Sequence, residues 1–203
     1  MQIIVSLTNI DDFKRVEDVA DLIELRIDLF NSLPSLDELK KIRKKKIVTI
    51  RRKEDGGKYT GSEADRLNLI KKYSGIADYV DVEFDCEDEY FEMNCKTIES
   101  YHNFSMTPPY NTLKEILDSR RGDIFKIATL GKTKKDVLTI VKILCNYDDV
   151  VAFLIGEKFA FTRIMSLFLG SPFIYCHAGN SVARGQFEAH EASEIIKKLR
   201  GER

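Results

Sequence analysis

Asp21-Leu22-Ile23-Glu24-Leu25-Arg26-Ile27-Asp28 alternates charged and apolar side chains, so that Glu24, Arg26 and Asp28 share one face while Leu25, Ile27 and Leu29 share the other. A period of two marks a β-strand. Four further runs carry the same signal. Thr49 and Arg51 lie together in Thr49-Ile50-Arg51-Arg52; Asp81, Glu83 and Asp85 oppose Val80, Val82 and Phe84; Ser100 pairs with His102; and Asp123-Ile124-Phe125-Lys126-Ile127-Ala128 holds one lysine among apolar neighbours. Helices cover the outside of a parallel barrel, which must therefore be apolar, so the charged faces point inward.

Working outward, strand-like runs recur at 2–7, 21–28, 46–51, 78–84, 96–102, 123–129, 149–155 and 172–177. Between and after them, helical periodicity covers 35–45, 62–74, 109–120, 133–146, 157–169 and 187–200. Pro34-Ser35 offers a cap to the first of these, and Ser62 with Asp65 a capping-box variant to the second. Strands alternating with helices give βαβ units and a parallel sheet. Units of about 25 residues stand at the lower edge for a (β/α)8 barrel. An open doubly wound sheet is the alternative; the regularity of the units favours closure. No linker or low-complexity segment divides the chain, so residues 1–203 are expected to form a single barrel domain.

The 203 residues are 43% hydrophobic and 32% charged, enough for a core and against disorder. A formal net charge of −1 gives no general pull toward nucleic acid or membrane. No apolar run approaches the ~18 residues of a membrane span. The N-terminus reads as a strand, not a signal peptide. Cys86, Cys95, Cys145 and Cys176 form no CxxC pair and no metal spacing, which suits buried thiols in a reducing cytoplasm. The basic run Lys40 to Lys46 leads from a helix end into a strand and reads as a solvated face.

Catalytic groups of a barrel gather at the C-terminal ends of its strands. Lys126 is the sharpest candidate: burial and neighbouring arginines would disfavour its ammonium and leave a nucleophilic amine able to form an imine. A snorkelling lysine is the plainer alternative. His102, one strand away, is sited to move protons. Glu83 either holds the His102 ring in a productive tautomer or pairs with Arg51. His177 and His190 read as structural, and Gly56-Gly57 as a flexible loop above the mouth.

In order, these motifs resemble the type I 3-dehydroquinate dehydratases of the shikimate pathway, especially the short archaeal forms. Val5-Ser6-Leu7 resembles the family's first strand, Glu24-Leu25-Arg26-Ile27-Asp28 its E-x-R-x-D, and Thr49-Ile50-Arg51 with Gly56-Gly57 its T-x-R and G-G segment. Ser100 to Phe104 with Thr107-Pro108 resembles S-x-H-D-F and T-P, and Ile124 to Ala128 the Schiff-base strand. The resemblance implies Lys126 as the imine-forming lysine, His102 as general acid and base, and Glu83 as the carboxylate supporting it. Arg163 would grip the substrate carboxylate, Ser6, Glu24, Arg26 and Arg51 would line the pocket, and Gln186 would sit in the lid. Val182 and Arg184 depart from the family's lid serine and proline, Ser181 is one position out of register, and Asn103 replaces an aspartate.

The implied reaction dehydrates the small molecule 3-dehydroquinate to 3-dehydroshikimate in aromatic amino acid biosynthesis, without metal or organic cofactor. The free thiols place the protein in the cytoplasm, and an exposed outer helix pair could form a homodimer. Rival readings are a class I aldolase, a metal-assisted lyase with Asp81, Glu83 and Asp85 around Mg²⁺, and a non-catalytic sugar-acid binding protein. Glutamine occurs only at positions 2 and 186 and charge is dense, a composition that leans toward heat resistance. Calorimetry should place Tm well above the ~45–65 °C of mesophile domains; a melt inside that range would remove the expectation.

Overall fold

A computed structural model describes residues 1–202. Eight strands, β1 (Gln2–Leu7), β2 (Leu22–Arg26), β3 (Lys45–Thr49), β4 (Tyr79–Glu83), β5 (Lys96–Asn103), β6 (Ile124–Leu130), β7 (Val150–Ile155) and β8 (Phe173–His177), run parallel in one sheet. Their order, β7-β6-β5-β4-β3-β2-β1-β8, is that of a nearly closed (β/α)8 barrel. Six α-helices pack outside: α1 (Leu36–Lys40), α2 (Glu63–Ser74), α3 (Tyr110–Asp118), α4 (Lys134–Asn146), α5 (Phe161–Phe168) and α6 (Ala189–Leu199).

The strand runs all form, and each helical run holds a helix. The first is much shorter than its periodicity: Ser35 and Glu38 close a capping box at its start, but buried Ile42 turns the chain into β3. Gly156, at φ 112°, separates β7 from a 3-10 turn at Glu157–Phe159, so α5 begins only at Phe161. Two connections use 3-10 turns in place of α-helices, Ile10–Arg15 after β1 and Asp88–Phe91 after β4. β2 stops at Arg26, and Asp28 instead lies in a 3-10 turn where its carboxylate takes the Arg26 guanidinium at 2.8 and 3.0 Å.

Helices and sheet bury an apolar layer between them, with Val5, Ile23, Leu25, Val48, Val80 and Val82 on one side of the barrel. Phe125, Ile127, Ala152 and Leu154 do the same beside α3 and α4. Inside, Ile4, Leu22, Ile47, Ile98, Ile124, Val151 and Phe173 fill the lower barrel. The interior therefore has a dry floor, and its polar side chains begin only above that floor.

A recurrent device pins neighbouring strands at the bottom. Asp21, just before β2, accepts from the Ile3 N–H at 2.8 Å; Asp78, before β4, from Lys46 at 2.9 Å; and Asp123, before β6, from Thr97 at 2.8 Å. The position before β8 is Pro172, which has neither carboxylate nor N–H to offer β7. No ladder joins β7 to β8, and the seam is bridged at the mouth, where Gly156 N–H donates to Arg184 O at 3.3 Å. Asp123→Ala should lower the unfolding free energy by about 1 kcal/mol in urea denaturation, the worth of one hydrogen bond. A change well inside the roughly 0.5 kcal/mol scatter of surface substitutions would contradict that role.

Candidate active site

Above the apolar floor, the next inward residues are polar. Ser6, Glu24, Thr49, Asp81, Ser100 and Lys126 come from β1 to β6, one from each strand, and all are buried. Glu24 is satisfied by hydroxyls: Ser6 donates to it at 2.5 Å and Thr49 at 2.9 Å. Asp81 is satisfied by charge. Its Oδ1 accepts from Arg51 Nη2 at 2.6 Å and from Ser100 Oγ at 2.5 Å, while its Oδ2 takes the Lys126 ammonium.

Burial pushes the Lys126 amine below its usual value, and the nearby Arg51 guanidinium adds to this against the attraction of Asp81. Burial would raise the Asp81 carboxyl, but Arg51 and Lys126 hold it well below the usual carboxylate range. Asp81 therefore stays anionic beside an amine that releases its proton more readily than a free lysine. The amine also lies 4.7 Å from the centre of the Tyr175 ring.

His102 stands two residues above Ser100, the register partner of Lys126, and so on the same inner face. Burial drives its pKa well below the usual value, with further repulsion from Arg51 and Lys126, which leaves a neutral imidazole near pH 7. Its Nδ1 is buried without a hydrogen-bond partner among the described residues. The ring stacks on Phe104, centroids 6.1 Å apart and planes 7° from parallel.

A cavity of about 330 Å³ opens at this mouth, and the sequence candidates Ser6, Glu24, Arg26, Arg51, His102 and Lys126 line it. Arg163 from α5 and Gln186 from the loop after β8 complete its wall. Gln186 ties that loop to the barrel, donating to Cys176 O at 2.9 Å and Ser6 Oγ at 3.3 Å and accepting from Val182 N–H at 3.0 Å. Val182 lines the cavity, while Ser181 turns back to Ala183 O at 2.6 Å.

Glu83 does not line the cavity. It departs from the expected support of His102: one oxygen accepts from Arg51 at 3.1 Å and the other from Arg66 at 2.6 Å. Pairing with Arg51, the alternative use, is the one its hydrogen bonds give. Gly56 and Gly57 form a packed turn. Gly56 has φ +80°, and a Cβ on Gly57 would meet Arg51 O at 2.1 Å. The turn brings Asp55 to the cavity, its carboxyl raised by burial and by Glu83.

Arg163 is of a different kind from the other guanidiniums. Arg26 and Arg51 are paired with carboxylates; Arg163 has no acidic partner among the described residues. It sits 4.0 Å from the centre of the Phe153 ring, reaches only Arg184 O at 3.4 Å, and has a buried, unpartnered Nε. Burial presses its pKa down to about 10. A buried cation lacking a counter-charge and facing a cavity has the electrostatics to accept an anion. The carboxylates of the metal alternative are already engaged: Asp81 and Glu83 by Arg51, Lys126 and Arg66, and Asp85 by Arg52 at 2.6 Å. No cluster of three or more His, Cys, Asp or Glu side chains among the described residues is arranged to hold a metal.

Sequence reasoning passed over Asp81 as the partner of Lys126, although its inward parity was legible. It also missed Tyr175, on the inward face of β8, and gave Phe104 a place in a motif but no role. Asp55 lies in a turn that carries no periodic signal.

Fold and site together define a (β/α)8 barrel with a buried amine and a neutral imidazole on neighbouring strands, lining one arginine-rich pocket. Residues 6–202 match the family model of type I 3-dehydroquinase, and the chain belongs to that family. A 3-dehydroquinate dehydratase of Archaeoglobus fulgidus is 50% identical over 201 residues, covering 98% of this chain and 100% of the relative. The crystal structure of the 3-dehydroquinate dehydratase from Aquifex aeolicus is 29% identical with a TM-score of 0.81, over 98% of this chain and 99% of that one. The enzyme of that name from Geobacillus kaustophilus, at 23% identity, shares the fold with a TM-score of 0.84, over 98% of this chain and 91% of that one.

The unpartnered cation gives a test with two signs. Arg163→Met should raise the Tm of the ligand-free protein, because it removes a buried charge with no counter-charge. It should also weaken binding of a carboxylate-bearing ligand, read by calorimetry. A loss of stability together with unchanged binding would refute the assignment.

Proposed function

We propose that this chain is a 3-dehydroquinate dehydratase working through an imine on Lys126. The observation that carries the proposal is the Lys126 amine, buried in the cavity with its pKa lowered and His102 on the neighbouring strand. Family membership supports the substrate, as do an anion-seeking Arg163 and a polar upper barrel suited to a hydroxylated acid.

The chemistry follows in order. The Lys126 amine, its ammonium proton first released to solvent, adds to the substrate ketone; the resulting carbinolamine takes up a proton as its hydroxyl leaves as water, which gives a protonated imine. That cation withdraws electrons from the adjacent carbon, whose proton passes to neutral His102 to give an enamine. The enamine electrons then expel the β-hydroxyl, which takes the proton from His102 and departs as water. Hydrolysis of the remaining imine restores Lys126 and frees 3-dehydroshikimate. Asp81, held anionic, stands against the imine nitrogen in both of its positively charged stages, before and after the enamine. Arg163, Arg51, Arg26, Glu24, Ser6 and Gln186 orient the substrate, and such positioning contributes several kcal/mol in general, on the order of the effective-molarity gain.

We further infer a homodimer located in the cytoplasm, serving aromatic amino acid biosynthesis without metal or organic cofactor. No helix among the described residues is long and apolar enough to cross a membrane.

Two variants separate the roles. Lys126→Ala should bind 3-dehydroquinate yet never attach to it covalently. His102→Ala should still form the imine, trapped by borohydride on the Lys126 peptide, while turnover falls by about 10⁴-fold, the upper end for general acid–base steps. Near-normal turnover in His102→Ala, or trapping on another residue, would overturn the assignments.

A further inference from the structure

The chemistry above makes no use of Arg66, a wholly buried charged side chain that lies outside the cavity. It projects from α2 on the outer side of the sheet, and its Nη1 donates to Glu83 Oε2 at 2.6 Å. From there a chain of charges leads inward. Glu83 Oε1 takes Arg51 Nη1 at 3.1 Å, Arg51 Nη2 gives to Asp81 Oδ1 at 2.6 Å, and Asp81 Oδ2 takes Lys126. Each carboxylate thus presents one oxygen to each neighbouring cation.

We propose that Arg66 is a positioning residue for the reaction: by occupying one oxygen of Glu83, it limits Glu83 to a single contact with Arg51 and leaves Arg51 to share Asp81 with Lys126. This rests on Lys126 being the nucleophile. Guanidinium and carboxylate favour a two-point fork. With the Arg66 guanidinium gone, only the weak Cys86 thiol hydrogen bond at 3.6 Å remains on Oε2, so both Arg51 Nη atoms can close on Glu83 and leave Asp81 to Lys126 and Ser100. The lengths show where Arg51 now leans, 2.6 Å to Asp81 against 3.1 Å to Glu83. Without Arg51, Asp81 stabilises the ammonium and delays release of the nucleophile to higher pH.

The groups facing Lys126 make this balance local. Its negative neighbours are Asp81 of β4 and Glu24 of β2, the latter held by Ser6 and Thr49. Its positive neighbour is Arg51, just past β3, while His102 of β5 and Tyr175 of β8 stand neutral beside it. Arg52 comes no nearer to Glu83 than 3.9 Å and is engaged by Asp55 and Asp85. Arg66 also reaches Ile50 O at 3.3 Å, Cys86 Sγ at 3.0 Å and Glu63 at 2.8 Å, so a purely structural role is the competing account.

The pH dependence of borohydride-trapped imine formation with 3-dehydroquinate, on wild type, Arg66→Met and Arg66→Met/Glu83→Gln, separates the two. In Arg66→Met the rise of trapping rate with pH should move up by about one unit, roughly a tenfold loss near neutrality that recovers in alkali. In the double variant Glu83 has lost its charge and one acceptor, Arg51 returns to Asp81, and the rise should return to the wild-type pH. An Arg66→Met profile lowered at every pH but not displaced leaves only the structural role and overturns the proposal. Where Arg66→Met does not fold, the double variant carries the test, and a rise displaced upward in it overturns the proposal. Wild type that is never labelled at Lys126 refutes the function itself, a distinct outcome.

Discussion

The Asp81 carboxylate, shared between Arg51 and Lys126, is the contact on which the upper barrel depends. Moving an ion from water to a protein interior costs several kcal/mol, on the order of what a whole domain can spare, unless the charge is paired and hydrogen-bonded. Lys126, Arg51, Asp81 and Glu83 are all buried, and each is paired with an opposite charge. Asp81 meets the condition by using both oxygens: one joins Arg51 and Ser100, the other Lys126. The same sharing gives Lys126 its chemistry. An aspartate given wholly to the lysine would fix it as ammonium; one divided with an arginine leaves burial to dominate.

That constraint explains why the barrel has to close around these residues. Arg51, two residues past the end of β3, meets Asp81, Ser100 and Lys126 from the next three strands, and only a strongly curved sheet points all four into one volume. The apolar layer beneath keeps water from entering from below, and the 182–186 segment covers the mouth through Gln186 and Arg184. Closure is incomplete between β7 and β8, away from the charged strands. The ladders that carry the ion pairs, β3 to β6, are continuous, and the open seam lies beside Phe153, Ile155 and Tyr175, where no ion pair needs to be held.

Much of this was legible in the sequence because strand parity is a two-residue signal. The alternation around Glu24, Asp81 and Ser100, with Lys126 alone in an apolar strand, placed the inner faces; Ser6, Arg163 and Gln186 came from the family resemblance, and with them eight candidate site residues line one cavity. The role of Glu83 was not legible. Its parity put it inward, but its partner depends on whether Arg51 or His102 lies within reach, a matter of tertiary distance. Arg66 was hidden for a related reason. An arginine on an amphipathic helix looks like surface, and only packing of α2 against β3 and β4 shows it to be buried. The two 3-10 connections lacked enough turns to carry a period, and which strand pair stays open is a matter of tertiary distance that no local pattern encodes.

The central claim is that burial, with Asp81 divided, keeps the Lys126 amine more acidic than a free lysine. NMR titration of isotopically labelled lysine side chains in the ligand-free protein, with Lys126→Met used to assign the resonance, measures this directly. The account predicts a midpoint for Lys126 below 10.5, the value of an unperturbed lysine. A midpoint at or above that value would mean that Asp81 holds the ammonium outright, and would contradict the account.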